Sequence, residues 1–456
     1  MSRIPGPRSP AALAPVLSAF SESVPDGLML LQDSYYPICS VGFGLFRWVF
    51  LFGAEANELV LSDPDTFRFA GGYEILRPIA GDTALVVTDG DEHARRRGAI
   101  VSSFSRKRIQ GYTATMLGRL DSTISSWTPG QRLDIYSEVR EAVRSATIEA
   151  FGGEQLARAS GYILPKLDIV HATMNRSLLR SLLTWNLQSL VGRRAKAALA
   201  AVDVEIYGDI ARRRRERDLG QDLISDMLRA EQDDGAAFTD AEIRDMLVSL
   251  LIASYDPVSS ALGWALYSML SSPGVWARAR AEVTSAFGRG EIPVAELRRL
   301  PYLAMVVSET LRLYPAVVAS PRQAARDFEF AGHRIKRGTH VMVSQYATQH
   351  SAAVWPQVES FRPERWDRSA DGYQAPGPYE YFPFGSGPRR CLGGGLAATC
   401  VPAILARLLQ RTTLRVDPGR PRLTGIAALT PRDGVWATVT TIDSTVPDHD
   451  SEVVAR

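Results

Sequence analysis

The chain has 456 residues, 45% hydrophobic and 22% charged, an ordinary globular composition with length enough to bury a large core. A net charge of +2 shows no one-sided basic excess, which excludes nucleic acid as the main partner. Three scattered cysteines, Cys39, Cys391 and Cys400, are too few for a disulfide framework and predict a reducing, cytoplasmic setting.

Residues 1–10 carry three prolines and residues 443–456 are polar, so both ends are expected to be loosely held. No Gly/Ser-rich or Pro-rich linker and no internal repeat divides the rest, which predicts one domain over 1–456. Met1 to Arg8 lacks an apolar core behind its charges, so no signal peptide or membrane anchor is expected. Ile38 to Gly53 is apolar but short of a membrane span, contains Arg47, and is rich in aromatic and β-branched residues; two short strands suit it better.

From Ala54 to about Phe287 helical periodicity dominates, broken by turn signals at Asp89-Gly90, Asp234-Gly235 and Ser272-Pro273-Gly274. Within it, Asp89-Gly90-Asp91-Glu92-His93-Ala94-Arg95-Arg96-Arg97 sets His93 and Arg97 on one helical face. Arg212 to Arg215 reads as an exposed helix end. The clearest element starts at the capping box Thr239-Asp240-Ala241-Glu242. It runs for about 33 residues to Ser272, or roughly 50 Å at ~1.5 Å per residue. Its middle, Ile252 to Val258, sets an acid and a proline, Asp256 and Pro257, inside an apolar run, a local rule broken where function is to be sought.

A mixed region with short strands follows, notably Phe328 to Ser344 and the C-terminal stretch, so the fold class is mainly α with a smaller β-rich region. In Glu309-Thr310-Leu311-Arg312 the two charges stand at i and i+3 and can pair within a helix. The run Phe361-Arg362-Pro363-Glu364-Arg365-Trp366 comes next, and Pro376-Gly377-Pro378 marks a loop. Then Tyr381 to Gly395 forms a glycine-rich loop that delivers one thiol, Cys391, to the start of a helical stretch, Leu396 to Leu409. Free backbone N–H groups and the helix dipole there favour thiolate over thiol. A buried free cysteine beside a structural turn is the plain alternative.

Phe384, Gly385, Gly387, Arg389, Cys391 and Gly393 match in register the Phe-Gly-x-Gly-x-Arg-x-Cys-x-Gly signature of the cytochrome P450 family, and the chain resembles that family over most of its length. The resemblance implies a buried haem b between the long helix and the Cys391 loop, with Cys391 as the axial ligand of the iron, a soft donor that assists O–O cleavage. It places Ala253, Phe384 and Gly385 against the cofactor. It assigns His93, Arg97, Arg322 and Arg389 to the haem propionates, where guanidinium forks suit carboxylates and neutralise a dianion that is costly to bury. Glu309, Arg312 and Arg365 become a structural network, and Arg95 and Arg96 are left to the surface as a redox-partner patch.

The chain departs from the family in the long helix, where Ala or Gly, Gly, any residue, an acid and Thr are usual; here stand Ala253, Ser254, Tyr255, Asp256 and Pro257. The acid and the threonine ordinarily hold the waters that pass protons to dioxygen, so Asp256 is the expected proton source. Pro257 offers no hydroxyl, and by pushing on the carbonyl of Ala253 it should kink the helix at a cost of roughly 3 kcal/mol. Three readings stand open. The substrate brings its own hydroxyl; Ser254, Ser259 or Ser260 restores the relay; or the reaction is peroxide-driven or otherwise unusual. Peroxide-driven members with a proline here pair it with an arginine where this chain keeps Asp256.

The reading that results is a haem-thiolate monooxygenase that hydroxylates or epoxidises a small or medium apolar molecule in bacterial specialised metabolism, a terpenoid, polyketide or modified peptide. Electrons are expected from a separate ferredoxin or flavodoxin. The segments expected to line the pocket are Ile75 to Val87, Leu164 to Leu190, Leu250 to Val258, Pro315 to Ala319 and Gly425 to Leu429. The rival is a haem-binding protein without turnover.

Overall fold

Helix begins earlier than the periodicity suggests. α1 (Pro10–Glu22) and α2 (Val24–Tyr35) open on Ser9 and Ser23, whose hydroxyls accept the amides of Ala12 and Asp26, with a proline in each first turn. Pro15 and Gly27 interrupt the apolar pattern there; Gly27 lets the ring of Phe20 lie against α2, where a Cβ would stand 2.4 Å from it. The computed structural model describes residues 3–42, 47–174, 190–216, 219–234, 238–425 and 428–444. Residues 3–10 correct the expectation of a loose end: Ile4 is buried, and the Ser40 amide donates to the Pro5 carbonyl at 2.9 Å. At the other end, residues 445–456 lie outside the described residues.

β1 (Ile38–Val41) and β2 (Trp48–Leu51) pair antiparallel, as Ile38 to Gly53 predicts. Next come α3 (Ala54–Ser62), β3 (Phe67–Arg68), α4 (Phe69–Tyr73), α5 (Arg77–Ala80), α6 (Gly90–Ile100), α7 (Arg106–Ser125) and β4 (Arg132–Asp134). α8 (Ile135–Arg158) bends at Gly153, and α9 (Ser160–Met174), α10 (Leu190–Glu216), α11 (Leu223–Asp234), α12 (Asp240–Ser271), α13 (Val275–Phe287) and α14 (Pro301–Leu313) follow. The later part holds β5 (Ser320–Ala324), β6 (Phe328–Phe330), β7 (His333–Ile335), β8 (His340–Val343), α15 (Gln345–Gln349), α16 (Gly394–Arg411), β9 (Thr412–Val416), β10 (Leu423–Thr424), β11 (Thr430–Pro431) and β12 (Trp436–Ile442).

The main sheet has the order β1-β2-β8-β5-β3, with β2 and β8 parallel and the other pairs antiparallel. It therefore sews the N-terminal hairpin to a strand some 290 residues later (49 to 341), and it sets Arg322 on β5 beside the chain segment at Phe67 and Arg68.

Among the helices, α8 packs on α7 and α12, and α16 packs on α7 and α12, a ring of four around one apolar core. α12 crosses it. Its capping box is complete: the Glu242 amide donates to Thr239 Oγ1 at 3.2 Å and the Thr239 amide to Glu242 Oε2 at 3.0 Å. The helix is long and apolar enough to cross a membrane by length and composition, but 67% of its most apolar stretch is buried inside the protein, which makes it a core helix. It stays helical through Pro257.

Two arginine runs are corrected. Consecutive residues on a helix of ~3.6 residues per turn point to every side in turn, so a run of four cannot stay wholly outside. Arg213 is buried, donating to Asp209, Asp222 and the Gly152 carbonyl at 2.8 Å each. It ties α10 and α11 to the bend in α8. Likewise Arg96 is buried between Glu92 at 2.9 Å and Glu242 at 3.2 Å, while Arg95 also donates to Glu242 and lies over the Phe238 ring. Rather than a free surface patch, these two clamp α6 to the start of α12.

Candidate functional site

The Cys391 loop is shaped by two glycines with positive φ, Gly385 at 68° and Gly387 at 67°. A Cβ on Gly387 would stand 2.1 Å from the Leu61 carbonyl oxygen, so only glycine lets the loop lie against the end of α3. The Cys391 amide then donates to the Phe384 carbonyl at 2.9 Å, and the chain enters α16 three residues on. Cys39 and Cys400 are buried, their thiols pushed up to about 12 by burial, which makes them inert packing residues.

Cys391 differs in being exposed. The protein atoms ringing it raise its thiol above the ordinary value, against the pull of the Gly393 and Gly394 amides and of Arg97 and Arg390. The helix terminus alone thus does not carry the expected thiolate. Desolvation outweighs it, and a cation held at Sγ would favour the thiolate.

Beside the loop stands a cationic set. Arg322 is 4% exposed, donates to its neighbour's carbonyl, Pro321, at 2.8 Å, and has no ion pair among the described residues. Arg389 donates to the Thr88 carbonyl at 2.7 Å and to Asp89. Burial pulls both guanidinium groups below their ordinary range. Arg97 donates to the Arg390 carbonyl at 3.0 Å. Burial, then the charges of Arg389 and Arg97, push His93 down to about 4. A buried excess of positive charge is unfavourable unless an anion completes it.

On α12, Ala253 is exposed in mid-helix between buried Leu251 and Tyr255. A soft thiol beside a set of guanidinium groups suited to two carboxylates fits an iron porphyrin. The four predicted propionate residues and Cys391 do come together here: Arg389 and Arg97 act on His93, the Phe69 ring lies 4.5 Å from Arg322 and 4.9 Å from Arg389, and Arg97 acts on Cys391, whose amide meets the Phe384 carbonyl. Of the segments expected to line the pocket, residues 175–189 and 426–427 lie outside the described residues.

Glu309 and Arg312 are wholly buried and paired through two bonds, at 3.0 and 2.9 Å. Arg312 also donates to the carbonyls of Gln349 and Val358, and Arg365 reaches Glu309 at 3.4 Å. Two partners went unpredicted. The Trp366 indole donates to Glu309 Oε2 at 2.9 Å, and Gln349 accepts the Phe382 amide at 3.4 Å, which links the network to the base of the cysteine loop. Trp366 had a signal, an indole donor one residue after Arg365; Gln349 had none.

At the centre of α12 the carboxylate of Asp256 is 2% exposed. Arg140 on α8 lies 3.2 Å from Oδ1 and His171 on α9 lies 2.8 Å from Oδ2. Arg140 also stands 3.6 Å from Asp168, which Arg144 pairs with as well. No motif pointed to Arg140 or His171. Of the three serines, Ser259 donates to the Tyr255 carbonyl at 2.7 Å and Ser260 to the Leu429 carbonyl, both buried. Ser254 is partly exposed next to Ala253 and donates to the Leu251 carbonyl at 3.0 Å. Pro257, four residues beyond Ala253, shares its helical face.

Comparison with known proteins agrees with this geometry. Residues 5–430 match the family model of cytochrome P450. The chain is 39% identical over 414 residues to the putative cytochrome P450 139 of Mycobacterium bovis, covering 90% of this chain and 96% of that protein. It is 30% identical over 374 residues to the cyclooctat-9-en-7-ol 5-monooxygenase of Streptomyces melanosporofaciens, covering 80% of each. A retinoic acid-bound cyanobacterial CYP120A1 superposes with a TM-score of 0.81 over 90% of this chain and 93% of that one, at 23% identity, a likeness of fold.

Proposed function

The chain belongs to the cytochrome P450 family of haem-binding oxidoreductases, and from that premise we propose that it hydroxylates or epoxidises a small or medium apolar molecule in bacterial specialised metabolism. Haem b, when bound, supplies the activation of dioxygen from which one oxygen atom enters a C–H or C=C bond. Cys391 is its thiolate ligand. His93, Arg97, Arg322 and Arg389 bind the propionates, and Glu309, Arg312 and Arg365 brace the loop. The observation that carries the reading is a set of arginines, Arg322 buried and Arg97 and Arg389 half-buried, with one paired acid, beside a single accessible thiol.

Asp256 supplies protons, its carboxylate held between Arg140 and His171, and Ser254 takes the place of the hydroxyl that Pro257 lacks. The engagement of both Asp256 oxygens favours one second reading, a peroxide-driven reaction. A relative named as acting on cyclooctat-9-en-7-ol supports a terpenoid, with a polyketide or modified peptide as the other classes. The electron donor is a cytoplasmic ferredoxin or flavodoxin.

The test is the spectrum of the dithionite-reduced protein under carbon monoxide, for wild type and Cys391→Ala. A strongly red-shifted Soret band lost in the variant supports the assignment; a wild-type band typical of histidine or neutral-thiol ligation sinks it. NADH-driven and peroxide-driven assays then separate the two readings, and no oxidation by either leaves a haem-binding protein without turnover.

A further inference from the structure

We propose that Asp89 is a positioning residue for the cofactor, acting through Arg389 and Phe69; the inference rests on the haem reading above. Asp89 Oδ1 accepts the Phe69 amide at 3.2 Å and a bond from Arg389 Nη2, and Oδ2 accepts the Ala70 amide at 3.0 Å. Its backbone immediately precedes α6, which carries His93 and Arg97. One carboxylate thus joins segments around residues 69, 89 and 389 that meet nowhere in sequence. It is also the sole acid ion-paired with His93, Arg97, Arg322 or Arg389 among the described residues.

The effect reaches a second guanidinium. Phe69, anchored by Asp89 through its amide, places its ring 4.5 Å from Arg322 and 4.9 Å from Arg389. Asp89 therefore fixes Arg389 directly and Arg322 through an aromatic spacer, so that both donors are set before the propionates arrive and lose little freedom on binding. Its charge also offsets part of the cation excess. Next to the cofactor carboxylates a fixed negative charge opposes uptake of an electron, so Asp89 holds the ferric–ferrous potential down.

The experiment uses the full-length, haem-loaded protein, with Asp89→Asn, Asp89→Ala and the exposed Asp433→Asn as a control. Two quantities are read: the rate of haem transfer to apomyoglobin and the ferric–ferrous midpoint potential. Asp89→Asn keeps an acceptor oxygen for the α4 amides and folds. It should release haem about tenfold faster, the loss of one charge-assisted hydrogen bond, and shift the potential upward. Asp89→Ala should release haem faster still, with Asp433→Asn as wild type in both. An unchanged potential in Asp89→Asn, even with faster haem loss in Asp89→Ala, would reduce Asp89 to a local cap of α4 and overturn the proposal. Failure of the haem-thiolate reading itself shows separately, in the wild-type carbon monoxide spectrum.

Discussion

His171 Nε2 lies 2.8 Å from Asp256 Oδ2, and this contact joins α9 to the centre of the core helix. With Arg140 on the other oxygen, one carboxylate binds α8, α9 and α12 together. A charge set so deep persists only with its partners in place.

Replacing Asp256 by asparagine leaves Arg140 and His171 facing a neutral group. The expected loss is about 3 kcal/mol, with His171→Ala costing less because that ring is partly exposed. Urea unfolding of the holoprotein measures both. The peroxide released per NADH consumed should rise in Asp256→Asn, and an unchanged ratio would remove Asp256 from proton supply.

Glycines 385 and 387 share a positive φ but not their surroundings. A methyl group on Gly387 meets the Leu61 carbonyl, whereas one on Gly385 meets nothing within 4 Å. Gly385→Ala should therefore cost only the backbone penalty, about 1 kcal/mol. Gly387→Ala should displace the loop and lower haem content at equal protein. Equal haem content in the two variants contradicts the contact.

Arg312→Lys keeps the charge and loses the fork that serves Glu309 and the carbonyls of Gln349 and Val358 at once. A variant that folds but binds haem poorly is expected, with Glu309→Ala destabilising by about 3–5 kcal/mol. Haem-to-protein absorbance ratio and chemical denaturation report the two effects.

Acid sensitivity follows from His350, which is buried, stacked on Tyr346 and pushed from 6.5 to about 3, mainly by burial. The unfolded chain takes up this proton before the folded one does, so stability is complete above the unfolded pKa and falls as pH drops from about 6.5 towards 3. In the haem-free chain His93 adds a loss of the same sign down to about 4. In His350→Gln the drop in stability between pH 7 and pH 5 should shrink by roughly 2 kcal/mol, as read by denaturation at the two pH values.

What the sequence showed plainly was local. The cysteine loop is written in glycine and arginine spacing over a few residues, and Glu309 with Arg312 in a single helical turn. The partners of Asp256 come from helices about 115 and 85 positions away (140 and 171 to 256), and no periodicity records them. Arg96 and Arg213 are buried although the runs that hold them suggest surface, because successive helical residues point different ways. The serine caps of α1 and α2 stood in the text, but Pro15 and Gly27 hid the pattern between them.

Arg322 has a last consequence, in the cell rather than in the molecule. It is buried with the Pro321 carbonyl and Tyr73 as neutral partners and no ion pair among the described residues, so a chain folded before its porphyrin arrives carries a charge only partly compensated at its centre. Ligand binding stabilises only the native state, and chains that linger unliganded pass to chaperones and proteases. The amount of intact enzyme in a host should therefore follow porphyrin supply more closely than transcript level.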